Sequence, residues 1–170
     1  MSSTTKVQQR GPLSEQSFDV FGVLLHFLVM PEETGGQISL YRGTISPGVI
    51  VPLHSHPDPE IFHVLDGGLE AFVESGPHPG WSTFIAGEVL AIPGGVKHAL
   101  RNTSSTPATT LLVAQVELYK FFREIARPCG TQLPAAPSPE ETQKLFTAAA
   151  KYHYWMGSEA DNAAIGISLG

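Results

Sequence analysis

Between residues 18 and 118 the chain offers only short apolar runs cut apart by turn residues, and this spacing constrains the fold more than any other feature. Runs at 21–30, 38–45, 61–65, 69–73 and 89–92 are separated by clusters such as PEETGG and SPG. Short apolar stretches bounded by Gly, Pro, Asn and Asp read as strands, because those residues supply the backbone angles of turns. A last run, TTLLVAQVEL at 109–118, follows the polar turn RNTSSTPA. With the segments that carry His54 and His98, about eight strands fit before residue 118 and no helix interrupts them. Strands at such regular spacing predict an all-β sandwich or barrel. The chain of 170 residues, with 17 Gly and 14 Pro, suits one such domain.

After residue 118 the pattern changes. YKFFREIA predicts a short helix stopped by Pro128, and the Pro- and Ala-rich PCGTQLPAAP reads as a linker. SPEE then places Ser138 as N-cap, Pro139 at the first helical position and Glu141 where it completes a capping box, so a helix is expected over 139–152. Leu145, Phe146 and Ala149 would form its buried stripe. The expected organisation is a frayed segment at 1–17, a barrel at 18–118, and a short C-terminal helical tail with its linker at 119–170.

Charge excludes some partners. The formal net charge is −6, and the ten Lys and Arg are scattered singly, so no basic surface is available for phosphates. No nucleic acid is expected. The apolar run VFGVLLHFLVM is too short to span a bilayer, and MSSTTKVQQR lacks the form of a signal peptide, so no membrane contact and a cytoplasmic location are expected. Cys129 is the single cysteine and has no internal disulfide partner.

The chemistry concentrates in GVIVPLHSHPDPEIFHVLDG at 48–67. A strand has a side-chain period of two, so His54 and His56 point to the same face and can share one centre. Pro57 and Pro59 force a turn, after which Glu60 opens the next strand and returns a carboxylate toward the histidines. A second stretch, GEVLAIPGGVKHALRN at 87–102, places His98 after a Pro-Gly-Gly turn as a fourth candidate. Phe62 and Val64 share the parity of Glu60, and Leu100 that of His98, so these three are expected to form an apolar substrate pocket. His63 has the opposite parity and should face outward; His26 reads as a packing residue. His78 and His153 have no ligand spacing, and Lys97 and Arg101 read as solvated or bridging groups.

The two stretches resemble the two signature motifs of the cupin superfamily: Gly48, His54, His56, Glu60 and Gly67 in the first, Gly87, Pro93, Gly95, His98 and Asn102 in the second. Every fixed position agrees, which chance supplies at roughly 3 in 10 million starting points for the first motif alone. The resemblance implies a small jelly-roll β-barrel holding a divalent transition metal (Fe, Mn, Ni, Co or Zn) through His54, His56, Glu60 and His98. The tail is similar to the segment after the barrel in quercetinase-like single-domain cupins, although QVELY stands where those proteins often carry Pro-Gly-Gly-Phe-Glu. An octahedral ion with four protein ligands keeps two positions open. The expected function is therefore a metal-dependent dioxygenase acting on a small hydroxylated aromatic or enolisable compound. A metal-dependent isomerase or lyase, and a non-enzymatic binding cupin, are the alternatives. Glu60 would also serve as the base, which calls for a pKa raised by apolar surroundings. The outward apolar positions Ile61 and Leu65 predict a homodimer.

Overall fold

The computed structural model describes residues 17–129 and 136–169. In chain order the barrel strands are β1 (Ser17–Val20), β2 (Val23–Val29), β3 (Ile38–Ile45), β4 (Ile50–Ser55), β5 (Glu60–Asp66), β6 (Gly68–Val73), β7 (Gly80–Ile85), β8 (Val89–Ile92), β9 (His98–Arg101) and β10 (Ala108–Gln115). Then come α1 (Val116–Ile125), β11 (Arg127–Cys129), α2 (Pro139–Lys151), β12 (Trp155–Met156) and α3 (Glu159–Ala164). Two antiparallel sheets result, in the orders β11-β1-β2-β3-β10-β5-β8 and β12-β4-β9-β6-β7. The all-β jelly-roll expected from the sequence is thus the observed architecture.

Alternation builds the core between the sheets. On β5, Glu60, Phe62 and Val64 are buried while Ile61 and Leu65 are exposed; on β10, Ala108, Thr110, Leu112 and Ala114 turn inward. A one-residue slip in either strand would expose that entire set, so the burial pattern fixes the register. Tyr41 of β3 is fully buried among these side chains, and its hydroxyl donates to Ser39 Oγ at 2.8 Å.

Several elements differ from expectation. β1 and β7 are additional strands, and PEET at Pro31–Thr34 folds as a turn of 3-10 helix. The last barrel strand stops at Gln115, so residues 116–118 open α1 instead of extending β10. The reason is a distant cap. Asp58 Oδ2, from the turn between the two histidines and Glu60, accepts a hydrogen bond from Leu118 N at 2.9 Å. That carboxylate satisfies an orphan donor of the first turn and carries the charge a helix N-terminus favours.

The predicted capping box is present in α2: Ser138 Oγ accepts from Glu141 N, and Glu141 Oε2 accepts from Ser138 N. Its buried face consists of Ala148 and Ala149 with Leu145 partly covered, whereas Phe146 is 52% exposed and does not belong to the stripe. The helix lies against α1, where Lys151 Nζ and the Tyr152 hydroxyl both reach Glu124 Oε2. The C-terminal segment also extends both sheets, since β11 pairs with β1 and β12 with β4. The fraying expected at the N-terminus falls on residues 1–16, and much of the linker on 130–135; both lie outside the described residues. Among the described residues no helix is long and apolar enough to cross a membrane.

Candidate metal centre

The site sits where one end of the smaller sheet meets the first residue of β5. His54 is near the end of β4 and is paired in register with His98, the first residue of β9. His56 lies just past β4, held by its carbonyl, which accepts from Gly95 N at 2.7 Å. This bond joins the HPDPE turn to the Pro-Gly-Gly turn. The two backbones approach so closely that a Cβ on Gly94 would stand 1.9 Å from Pro57 O. Glycine is required there by space.

One ligand atom from each of His54, His56 and His98 lies within 4.8 Å of the others. Each ring is oriented in the same way. Nδ1 of His54 donates to Pro52 O at 2.7 Å, Nδ1 of His56 to Asp58 O at 2.8 Å, and Nδ1 of His98 to Val96 O at 2.8 Å. A carbonyl only accepts, so the proton is on Nδ1, and in the neutral ring Nε2 presents a lone pair to the shared centre. Glu60 Oε2 stands 3.1 Å from His98 Nε2 and 3.4 Å from His56 Nε2, while the set whose ligand atoms all lie within 4.8 Å of one another is the three histidines without it. His56 Nε2 is buried without a hydrogen-bond partner. Buried acceptors that confront one another require a cation or extra protons between them. The three histidines are positioned to bind a metal, and the donor set fits one.

Electrostatics show the same need for positive charge. Burial, reinforced by the neighbouring rings of His98 and His56, pushes the His54 pKa down to about 3. Burial also pushes His56 down, but the Glu60 carboxylate outweighs it and the net shift is upward. For Glu60, burial raises the pKa while the facing imidazoles of His56 and His98, 3.4 and 3.1 Å away, pull it well below the usual carboxylate range. The raised pKa expected from apolar surroundings is therefore corrected: the facing imidazoles win over desolvation.

Residues 41–114, which include every motif position from Gly48 to Asn102, match the family model of the cupin domain. Those residues carry a cupin domain. Its relatives include germin-like protein 1 of Brassica napus, 34% identical over 84 residues, which cover 48% of this chain and 41% of that protein. A germin-like protein of Morus alba is 34% identical over 127 residues, covering 68% of this chain and 59% of the relative. In both cases the cupin chain spans less than two thirds of the relative's length. Among solved structures, the polyketide cyclase RemF from Streptomyces resistomycificus superposes with a TM-score of 0.55 at 18% identity, over 82% of this chain and 97% of that one. That likeness extends the shared fold beyond the motif region.

Beside the histidines the cupin barrel encloses a cavity of about 130 Å³. Phe62 and Leu100 line it; Val64, though fully buried on the same face, is not among its lining residues. Phe121, Phe122, Tyr154 and Met156 line it too, all from the segment after the barrel strands. Strand parity gives no sign of them, and the dense aromatic spelling of YHYW is the one signal in the sequence. Tyr154 packs its ring 4.8 Å from that of His56 and stacks on Phe121 at 4.1 Å. Its hydroxyl is buried without a partner, and burial first, then the Glu60 and Asp58 carboxylates, hold its pKa far above the usual range.

The remaining sites behave as bridging or packing groups. Lys97 pairs with Glu74 at 3.0 Å and lies over Trp155, while Arg101 bonds Glu70 and lies over Trp81. His63 is on the outward face of β5, and His26, paired in register with Arg42 on β2 and β3, has its pKa lowered by partial burial and by that guanidinium. His78 and His153 are exposed.

Proposed function

We propose that this cupin is a metal-dependent oxidoreductase of dioxygenase type, acting on a small hydroxylated aromatic or enolisable compound, with His54, His56, Glu60 and His98 as ligands of one divalent ion. The observation that carries the reading is the convergence of three imidazole nitrogens, with a buried carboxylate against two of them, beside a cavity walled by Phe62, Leu100 and Phe121. Donor atoms bound at ~2.1 Å to a common ion stand ~3.0–3.4 Å apart. The 3.1 and 3.4 Å separations of Glu60 Oε2 from His98 and His56 support its assignment as the fourth ligand. Such a mixed nitrogen and oxygen set suits Fe, Mn, Ni or Co as well as Zn. When bound, a redox-capable ion would supply Lewis acidity and the electron exchange that lets an electron-rich substrate anion react with dioxygen.

The chain's own residues bind, orient and deprotonate. A cavity of about 130 Å³ is close to the ~150 Å³ that holds a benzene ring, and its apolar wall favours a flat organic molecule. Glu60 accepts the substrate's hydroxyl proton. Replacing it, Glu60→Gln, retains a ligating oxygen but no base. Metal affinity should fall about tenfold, while oxygen consumption falls about 100-fold or more. An oxygen electrode with flavonols, catechols and diketones, read beside metal content, checks this; full turnover in the Gln variant would remove Glu60 from proton transfer.

A metal-dependent isomerase or lyase is the second reading, favoured by the depressed pKa of Glu60. A base that weak exchanges protons best with groups acidified by the ion itself, and such chemistry needs no dioxygen. Undiminished turnover under anaerobic conditions would select it.

A homodimer belongs to the same proposal. Ile61, Leu65 and Val89 share one outward face of β5 and β8 and are 43%, 42% and 57% exposed. Light scattering at micromolar concentration should give about twice the chain mass of 18.2 kDa, and the mass of a single chain would exclude the dimer.

A further inference from the structure

Among the described residues three buried side-chain polar atoms lack a hydrogen-bond partner: His26 Nδ1, His56 Nε2 and the Tyr154 hydroxyl. Two of the three are in one place. The His56 nitrogen is accounted for by the cation its lone pair requires; the Tyr154 hydroxyl is not. A buried hydroxyl left without a hydrogen bond is destabilising, so native structures keep one where something else satisfies it. Three other buried or half-buried aromatic polar groups are paired: Tyr41 with Ser39, Tyr152 with Glu124, and Trp81 Nε1 with Ile165 O.

The backbone around Tyr154 fixes its direction. His153 takes φ 59, in the left-handed region that a non-glycine residue rarely adopts, at the turn from α2 into β12. Tyr154 N then donates to Ala149 O at 2.8 Å, and two residues later Met156 pairs with His54 and Gly157 N donates to Leu53 O at 2.8 Å. The tyrosine is therefore clamped on both sides by main-chain bonds, with its ring between Phe121 and His56. It lines the same cavity as His54, His56 and Glu60.

We propose that Tyr154 is a recognition residue of this site: its hydroxyl donates a hydrogen bond to an oxygen of the molecule held beside the histidines, so that the C-terminal segment completes the binding site. The occupant is a small oxygen-donor ligand, with one oxygen toward the metal position and another toward Tyr154. This rests on the reading of the site given above as a metal-dependent pocket for hydroxylated or enolisable compounds.

The test uses the full chain loaded with cobalt(II) and two probes, 4-nitrocatechol and acetohydroxamate, with dissociation constants read from absorbance. Tyr154→Phe keeps the ring and its stacking. It should leave metal content unchanged, lower the thermal midpoint not at all, and weaken both probes about tenfold or more, the loss of one hydrogen bond to a charged oxygen. Tyr152→Phe, which removes a hydroxyl bonded to Glu124 outside the cavity, should leave both constants as in the wild type. Unchanged constants in Tyr154→Phe, or an equal loss in Tyr152→Phe, overturn the role of Tyr154 while the metal-site reading stands. If acetohydroxamate alone binds and depends on Tyr154, the residue's role holds and the aromatic substrate class falls. If neither probe binds the wild-type protein, both are overturned.

Discussion

His98→Ala is expected to yield a folded protein that no longer retains metal. The substitution removes one of three converging nitrogens, the one that stands 3.1 Å from Glu60 Oε2. Partners that merely orient a ligand are worth roughly 10–100-fold in metal affinity, so loss of a ligand itself should exceed ~100-fold. Binding to the native state alone stabilises it by RT ln(1 + [L]/Kd), about 4 kcal/mol when free metal stands a thousandfold above Kd. Chelation should therefore lower the thermal midpoint of the wild-type protein and leave that of His98→Ala unmoved. Metal analysis and calorimetry together decide it, and a variant that still holds one ion per chain would refute the shared centre. Protons compete for the same nitrogens. Without metal the His56 pKa is raised above 6.5 by Glu60, so that ring's contribution to stability is complete below 6.5 and lost as pH rises through its folded value. Metal uptake displaces this proton, and affinity should rise with pH across the same interval.

Gly94→Ala should be the most damaging single methyl group that can be added near the site, although Gly94 is neither a ligand nor a fixed position of either motif. The added Cβ would meet Pro57 O at 1.9 Å and Pro57 C at 2.9 Å, and both are backbone atoms that cannot rotate aside. Relief requires the HPDPE turn to move off the Pro-Gly-Gly turn, which breaks the 2.7 Å bond from Gly95 N to His56 O and shifts His56 from its partners. Overpacking of this kind costs about 3 kcal/mol. Gly95→Ala provides the comparison. It has φ +81 with nothing within 4 Å of its Cβ, so only the left-handed backbone is penalised, by about 1 kcal/mol. Urea unfolding of the chelated proteins should show Gly94→Ala as the weaker of the two, and its metal affinity should drop as well. The reverse order would mean that the two turns are not rigidly apposed.

How much of this was readable in advance follows the range of the interactions involved. Alternation along β5 and β10, the pairing of His54 with His56, and the Ser138 to Glu141 capping box are written within a few residues, because strand parity and helix caps depend only on near neighbours. Those features, with the spacing to His98, determined the barrel and the three histidines. Tertiary structure decided what depends on residues far apart in the chain. β10 ends at Gln115 because Asp58, 60 positions before Leu118, caps the following helix. Glu60 is a weaker base than its apolar setting implies because the His56 and His98 rings, the latter 38 positions away, are both folded against its carboxylate. Tyr154 enters the cavity because β12 adds to β4 beside His54. In each case the competing local preference was sound and a long-range contact of a few kcal/mol overrode it, which no periodicity in the sequence records.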